Sequence, residues 1–197
     1  MQSHGGYTNT SYKGSVETVG YTDSAVNQYL SLQKESDDAL KYLIEYFEDY
    51  EEPTIIIMFG DHYPDLPDSF TEWITGKKYE DSTLEEQQQY FATPFFIWAN
   101  YDIPEEEGIL TSTNYLSTLL LEQTGLQMTP YNYYLQDLRK KMPALNHLGY
   151  MDEQGTYTSW DEIDEEYETL ELQYEAVQYN ELAESSRRVD RFFSIGD

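Results

Sequence analysis

The chain has no cysteine. Disulfide scaffolds, thiolate zinc sites and cysteine nucleophiles are therefore excluded. Basic residues are scarce: 11 Lys and Arg stand against 38 Asp and Glu, a net charge of −27 with His neutral. Binding to a nucleic-acid backbone needs clustered Lys and Arg, so no nucleic-acid partner is expected. Simple adsorption to anionic lipid is disfavoured for the same reason. Long apolar runs are missing too. The longest, Ile55-Ile-Ile-Met-Phe59, has the length of a strand, far short of the roughly 20 residues that span a bilayer. No basic-then-apolar signal segment opens the chain, and the polypeptide as written is expected to be soluble. Motifs that cradle phosphate or seat a serine nucleophile, Gly-x-x-x-x-Gly-Lys-Ser/Thr and Gly-x-Ser-x-Gly, are absent. No internal repeat and no low-complexity linker divides the 197 residues, so one domain is expected.

What is present is enough for a core, with 39% hydrophobic and 16% aromatic residues. Residues 1–21 read as a loop punctuated by Gly5, Gly6, Gly14 and Gly20. Val26, Tyr29, Leu30, Ala39, Leu40, Leu43, Ile44 and Phe47 recur at helical spacing, which predicts a helix over 22–50 capped by Thr22 or Asp23. Residues 54–59 form an unalternated apolar run, the pattern of a strand buried on both faces in a parallel sheet. A short acidic helix over 83–90 and a second buried strand over 93–99 follow. A further helix is capped by Ser112 or Thr113 and ends at Gly125. Short and long helices are predicted within 130–142 and 160–183. The alternation predicts an α/β fold with a mostly parallel sheet.

Asp61-His62 stands just past the C-terminal end of the first strand, the edge where ligands bind in open α/β sheets. A carboxylate beside an imidazole suits Mn²⁺, Zn²⁺ or Mg²⁺, and Gly60 would let the backbone turn so that both reach one ion. The plainer reading is a polar strand end with Asp61 capping the next turn. His4 lies in Gln-Ser-His-Gly-Gly-Tyr, where two glycines allow close approach to a ligand and an imidazole donates to a phosphate oxygen. His147 has no carboxylate neighbour at ligand spacing. The carboxylate runs 48–52, 105–107 and 161–168 lack EF-hand spacing and read as solvated faces. The 20 tyrosines sit at core-like helical positions, which points to packing.

The segment Thr54-Ile-Ile-Ile-Met-Phe-Gly-Asp-His-Tyr-Pro64 resembles the strand and metal motif of the lipoteichoic acid synthase-like enzymes. These are the bacterial phosphoglycerol transferase branch of the sulfatase and alkaline phosphatase superfamily. Met1-Gln-Ser-His-Gly-Gly-Tyr7 resembles their upstream His loop and Thr93-Pro-Phe-Phe-Ile-Trp-Ala-Asn100 their following core strand. Residues 110–126 resemble a helix ending in a Gly-Leu step, and 173–180 a closing helix. The resemblance implies that Asp61 and His62 ligate a catalytic divalent ion, usually Mn²⁺, with Mg²⁺ or Zn²⁺ as alternatives. It places His4 against a phosphoglycerol headgroup. The reaction implied passes a phosphoglycerol group from phosphatidylglycerol, through a threonine nucleophile, to a glycerol-ended acceptor.

The family's nucleophilic threonine, its remaining acidic ligand and its membrane helices lie upstream of the matching segments. The expectation is therefore that residues 1–197 are the C-terminal part of a three-layer α/β/α domain, inactive alone. In the whole protein it would be held by membrane helices at the outer face of a bacterial plasma membrane. The partners implied are a glycerol-phosphate lipid or polymer, with self-association through an exposed sheet edge. Residues 181–193 depart from the family's pattern. Two other readings stay open: a sulfatase-type hydrolase, and a non-enzymatic acidic interaction module with a degenerate site.

Overall fold

The computed structural model describes residues 6–9, 12–184 and 186–196. They fall into two compact units, which meet in the sequence between Asp102 and Ile103.

The first unit is organised on helix α1 (Ser24–Glu48). The Asp23 side chain caps it, accepting from the amides of Ala25 and Val26 at 2.8 and 3.1 Å. The loop before α1 is fastened along the helix by Asn27, Ser31 and Glu35, spaced four apart on one face. Ser31 Oγ accepts from the Val16 amide at 3.0 Å, Asn27 Oδ1 accepts from the Thr18 amide at 3.0 Å, and Glu35 accepts from the Tyr12 hydroxyl at 2.8 Å. Val26, Ser31 and Leu32 are buried. The apolar stripe farther along is helical as its spacing predicts, but Leu43 stays exposed and Leu40, Ile44 and Phe47 are half-buried.

Strands β1 (Ile55–Phe59) and β2 (Phe95–Ala99) pair in the register Ile55↔Ala99 to Phe59↔Phe95. The pairing is antiparallel, which corrects the expectation of a mostly parallel sheet: every strand pair among the described residues runs antiparallel. The reason is the connection. Residues 60–94 leave β1 at Phe59 and return to β2 at Phe95, which sits opposite, so the chain makes an excursion from one end and no crossover. That excursion holds α2 (Asp68–Thr75), unforeseen in the sequence, and α3 (Leu84–Gln89), started by a Thr83/Glu86 capping box. Asn100 locks the far end of the pair. Its Oδ1 accepts from the Thr54 amide at 2.8 Å, and its Nδ2 faces the carbonyl oxygens of Phe47, Tyr50 and Glu52 at 2.9–3.2 Å.

The second unit contains α4 (Leu116–Thr124), α5 (Pro130–Lys141), α6 (Glu165–Leu182) and α7 (Asp190–Phe193). Gly125, at φ +66°, ends α4 in the left-handed conformation that glycine adopts without strain. A small antiparallel sheet, β3 (Ala144–Asn146), β4 (Gly149–Met151) and β5 (Tyr157–Ser159), follows α5. Tyr115, Leu135, Leu138, Met142, Tyr150 and Tyr174 form the buried core. Tyr150 stacks on Tyr167 with ring centres 4.6 Å apart. Tyr115, Tyr150 and Tyr174 are packing residues, as their positions suggested, whereas Tyr133 and Tyr179 stay exposed.

Candidate functional site

The end of β1 is locked before it reaches the candidate residues. The Gly60 amide donates to the Pro94 carbonyl at 3.1 Å, and Thr93 Oγ1 donates to the Gly60 carbonyl at 2.7 Å. A Cβ at position 60 would stand 2.8 Å from Thr93 Cβ. Glycine is thus demanded by close approach of the neighbouring strand. Gly60 is not among the glycines with positive φ, so the turn itself does not require it.

Asp61 and His62 follow at once, both with exposed side chains. Asp61 Oδ1 accepts from the His62 amide at 3.0 Å, the local capping contact of the plainer reading. The second oxygen does something else: Asp61 Oδ2 lies 3.7 Å from His62 Nε2. His62 Nδ1 lies 2.7 Å from the Tyr63 carbonyl oxygen, which can only accept. Nδ1 therefore carries the proton, and in the neutral ring Nε2 carries the lone pair that a metal would take. Two donors at bond lengths of about 2.1 Å and a tetrahedral angle stand about 3.4 Å apart. The observed 3.7 Å is within a small side-chain adjustment of that spacing. The pair fits two positions of a divalent-cation sphere by donor type, tautomer and separation. Among the described residues no group of three or more His, Asp or Glu converges on one point, so the fit covers two positions only.

His4 lies outside the described residues. Tyr7, just downstream of it, is buried and meets Tyr29 of α1 edge-on, with ring centres 5.5 Å apart. Burial, and then the Asp65 carboxylate, push the Tyr7 phenol above its ordinary range. Tyr29 is raised by burial first, then by Tyr7 and Tyr63. The segment leaving the His4 loop and the segment leaving Asp61-His62 thus come together on the first half of α1. No sequence spacing announced this, because the two segments meet through Tyr29 and through the action of Asp65 on Tyr7.

The other candidates fall on other elements of the chain. His147 is exposed in the tight turn between β3 and β4 of the second unit. The carboxylate runs lie on solvated surface, and Asp164 caps α6 by accepting from the Glu166 and Tyr167 amides. No helix among the described residues is long and apolar enough to cross a membrane. Sequence reasoning passed over a stacked group of Tyr21, Phe70 and Trp73, the last two on α2, the helix that follows the Asp61-His62 loop in the chain. Its signal was the i, i+3 pair of large aromatics on α2.

Comparison with known proteins gives three findings. The family model described as Sulfatase matches residues 1–126, more than half of the chain. The "Putative cyclic beta-1,2-glucan modification protein" of Rhizobium meliloti (strain 1021) is 31% identical over 143 residues, 68% of this chain and 22% of that protein. The structure of Streptococcus pyogenes phosphoglycerol transferase GacH in complex with sn-glycerol-1-phosphate matches with a TM-score of 0.55 at 20% identity. That match covers 83% of this chain and 37% of the other. The chain thus spans well under half the length of either protein.

Proposed function

The chain belongs to the sulfatase family, and from that premise we propose that it supplies Asp61 and His62 to a divalent-cation site for phosphoglycerol transfer. One observation carries the reading: the Asp61 Oδ2 and His62 Nε2 donors stand 3.7 Å apart at the end of β1. The fold around them resembles a phosphoglycerol transferase. The cation proposed is Mn²⁺, with Mg²⁺ and Zn²⁺ as alternatives, and its other ligands come from outside the described residues. Such an ion neutralises charge on phosphoryl oxygens and acidifies an attacking hydroxyl.

The chain's own residues divide the remaining work. Asp61 brings a hard anionic oxygen. His62, oriented by the Tyr63 carbonyl, brings a nitrogen whose tautomer is already set. His4 donates a hydrogen bond to a phosphate oxygen of the glycerol-phosphate group. A surface of net charge −27 repels an anionic donor. At physiological salt that repulsion is screened beyond about 8 Å, so a cation at the site decides the potential a headgroup meets at contact.

The donor proposed is phosphatidylglycerol or a teichoic-acid-type glycerol phosphate, at the outer face of a bacterial membrane. A carbohydrate acceptor is favoured over a glycerol-ended one by the relative described as a cyclic glucan modification protein. Calorimetric titration of the chain with Mn²⁺ tests the reading. Weak single-site heat, lost in an Asp61→Ala, His62→Ala double variant, is the expected result. Equal heats from both proteins would reject the site.

A further inference from the structure

Groups of three aromatic rings gather at two places among the described residues of the first unit. One is the C-terminal end of α1, where Tyr46 stacks on Tyr50 at 6.2 Å. Asn100 ties that end to the start of β1, the end of the strand remote from Asp61 and His62. The other group is carried by α2 and the segment before α1. α2 directly follows the loop that carries the two donors. Tyr21, just before α1, packs against Phe70 and Trp73 of α2.

This second group is built as a shelf. Phe70 is buried, and the Trp73 indole lies nearly parallel to it, at 18° and 6.0 Å. Tyr21 leans on both, at 5.1 Å from Phe70 and 5.5 Å from Trp73. Gly20, at φ +89°, brings backbone beside the indole: a Cβ there would touch Trp73 Cζ2 at 3.5 Å. The Tyr21 hydroxyl and Ser69 Oγ share a hydrogen bond of 2.9 Å beside the rings. Trp73 remains 48% exposed. A large flat ring is therefore held against its neighbours with half its surface turned to solvent. Holding it in advance removes the ordering cost that a mobile side chain would exact on binding.

The surroundings select the ligand. Asp68 and Glu72 share the helix with Trp73, and the whole chain carries −27, so an anionic group is disfavoured there. An exposed apolar plane, with a hydroxyl pair at its neighbour Tyr21 and carboxylates on the same helix, suits a ring with C–H bonds on one face and hydroxyls at its edge. We propose that Trp73, backed by Phe70 and Tyr21, is a stacking platform for a neutral sugar ring of the acceptor. The word acceptor rests on the transfer reading above; the platform does not.

The test uses the whole chain labelled with ¹⁵N at its three tryptophans, titrated with a linear β-1,2-linked glucose oligosaccharide. The Trp73 indole signal, assigned from a Trp73→Phe variant, should shift while those of Trp98 and Trp160 hold still. Affinity should fall by about 5- to 10-fold in Trp73→Ala and by no more than about 2-fold in Trp73→Phe. Far-ultraviolet circular dichroism checks that Trp73→Ala remains folded. An unmoved Trp73 signal, or equal affinity in Trp73→Ala, overturns the platform, as does a shift produced by lipid micelles and not by sugar. Sugar binding retained in a chain that takes up no Mn²⁺ at Asp61-His62 would leave the platform standing and remove the transfer reading. Mn²⁺ binding at Asp61-His62 with no sugar effect at Trp73 would do the reverse.

Discussion

Replacing Gly60 by Ala separates two accounts of why glycine precedes the candidate ligands. A turn glycine would tolerate alanine, since Gly60 has no positive φ, and would gain about 0.4–1 kcal/mol from a less flexible unfolded chain. The structure predicts the opposite sign. The new Cβ would stand 2.8 Å from Thr93 Cβ, 3.1 Å from its Cγ2 and 3.3 Å from its Oγ1. Rotation about χ1 moves the last two atoms but not Cβ, which is bonded to the backbone of β2's approach. The strand ends must therefore part. Overpacking of this kind costs about 1–3 kcal/mol. Opening the 2.7 Å bond from Thr93 Oγ1 to the Gly60 carbonyl adds about 1 kcal/mol. Net of the entropic gain, the loss is about 1–3 kcal/mol, or roughly 2–12 °C in Tm for a chain of this size.

Thermal unfolding followed by circular dichroism reads the loss, and a double-mutant cycle identifies its cause. Thr93→Ala keeps the Cβ and should not rescue Gly60→Ala. Thr93→Gly removes it and should show a favourable coupling of about 1 kcal/mol or more. An unchanged or raised Tm in Gly60→Ala would refute the steric account.

Asn100→Ala removes the clamp among α1, residues 50–52 and β1, and should cost about 1–3 kcal/mol, read by urea unfolding. Leu135→Ala empties a site with 1% exposure in the second unit's core and should cost about 2–5 kcal/mol in the same assay. Glu86 is held down to about 2 by the Lys77 ammonium first, then by the Thr83 amide. Because its folded pKa is depressed, the stability it lends is present above the ordinary carboxylate range and is lost as pH falls toward 2. A pH titration of the Glu86 carboxyl by nuclear magnetic resonance should show this low midpoint, and Lys77→Met should raise it.

The parts legible in the sequence were those with long periods or sharp punctuation. The α1 stripe ran over many turns, Asp23 and Gly125 marked helix ends by their chemistry, and the run from Ile55 to Phe59 admitted no helix. The direction of pairing was not legible. An unalternated apolar strand reads as parallel because both faces are expected to be covered, yet direction is set by where residues 60–94 return. The strands β3–β5 are three residues each, too short for a period of two to register. The α1 stripe was also less buried than its spacing implied: Leu43 is exposed.

At the site, Asp61-His62 stood out because charge follows an apolar strand abruptly. The tautomer of His62 could not be read, since it depends on the Tyr63 carbonyl in three dimensions. Gly60 was noticed for the wrong reason, because its crowding comes from Thr93, on the approach to the other strand. The approach of Tyr7 and Tyr63 to Tyr29, and of Asp65 to Tyr7, has no local signature at all.

The central claim is that Asp61 and His62 act together on one divalent cation. Paramagnetic broadening of backbone signals during a Mn²⁺ titration tests it residue by residue. The account predicts that signals of residues 61–63 fade first, and that this preference vanishes in the Asp61→Ala, His62→Ala variant. Broadening that instead follows the acidic runs 48–52, 105–107 and 161–168, with no preference for 61–63, would contradict it.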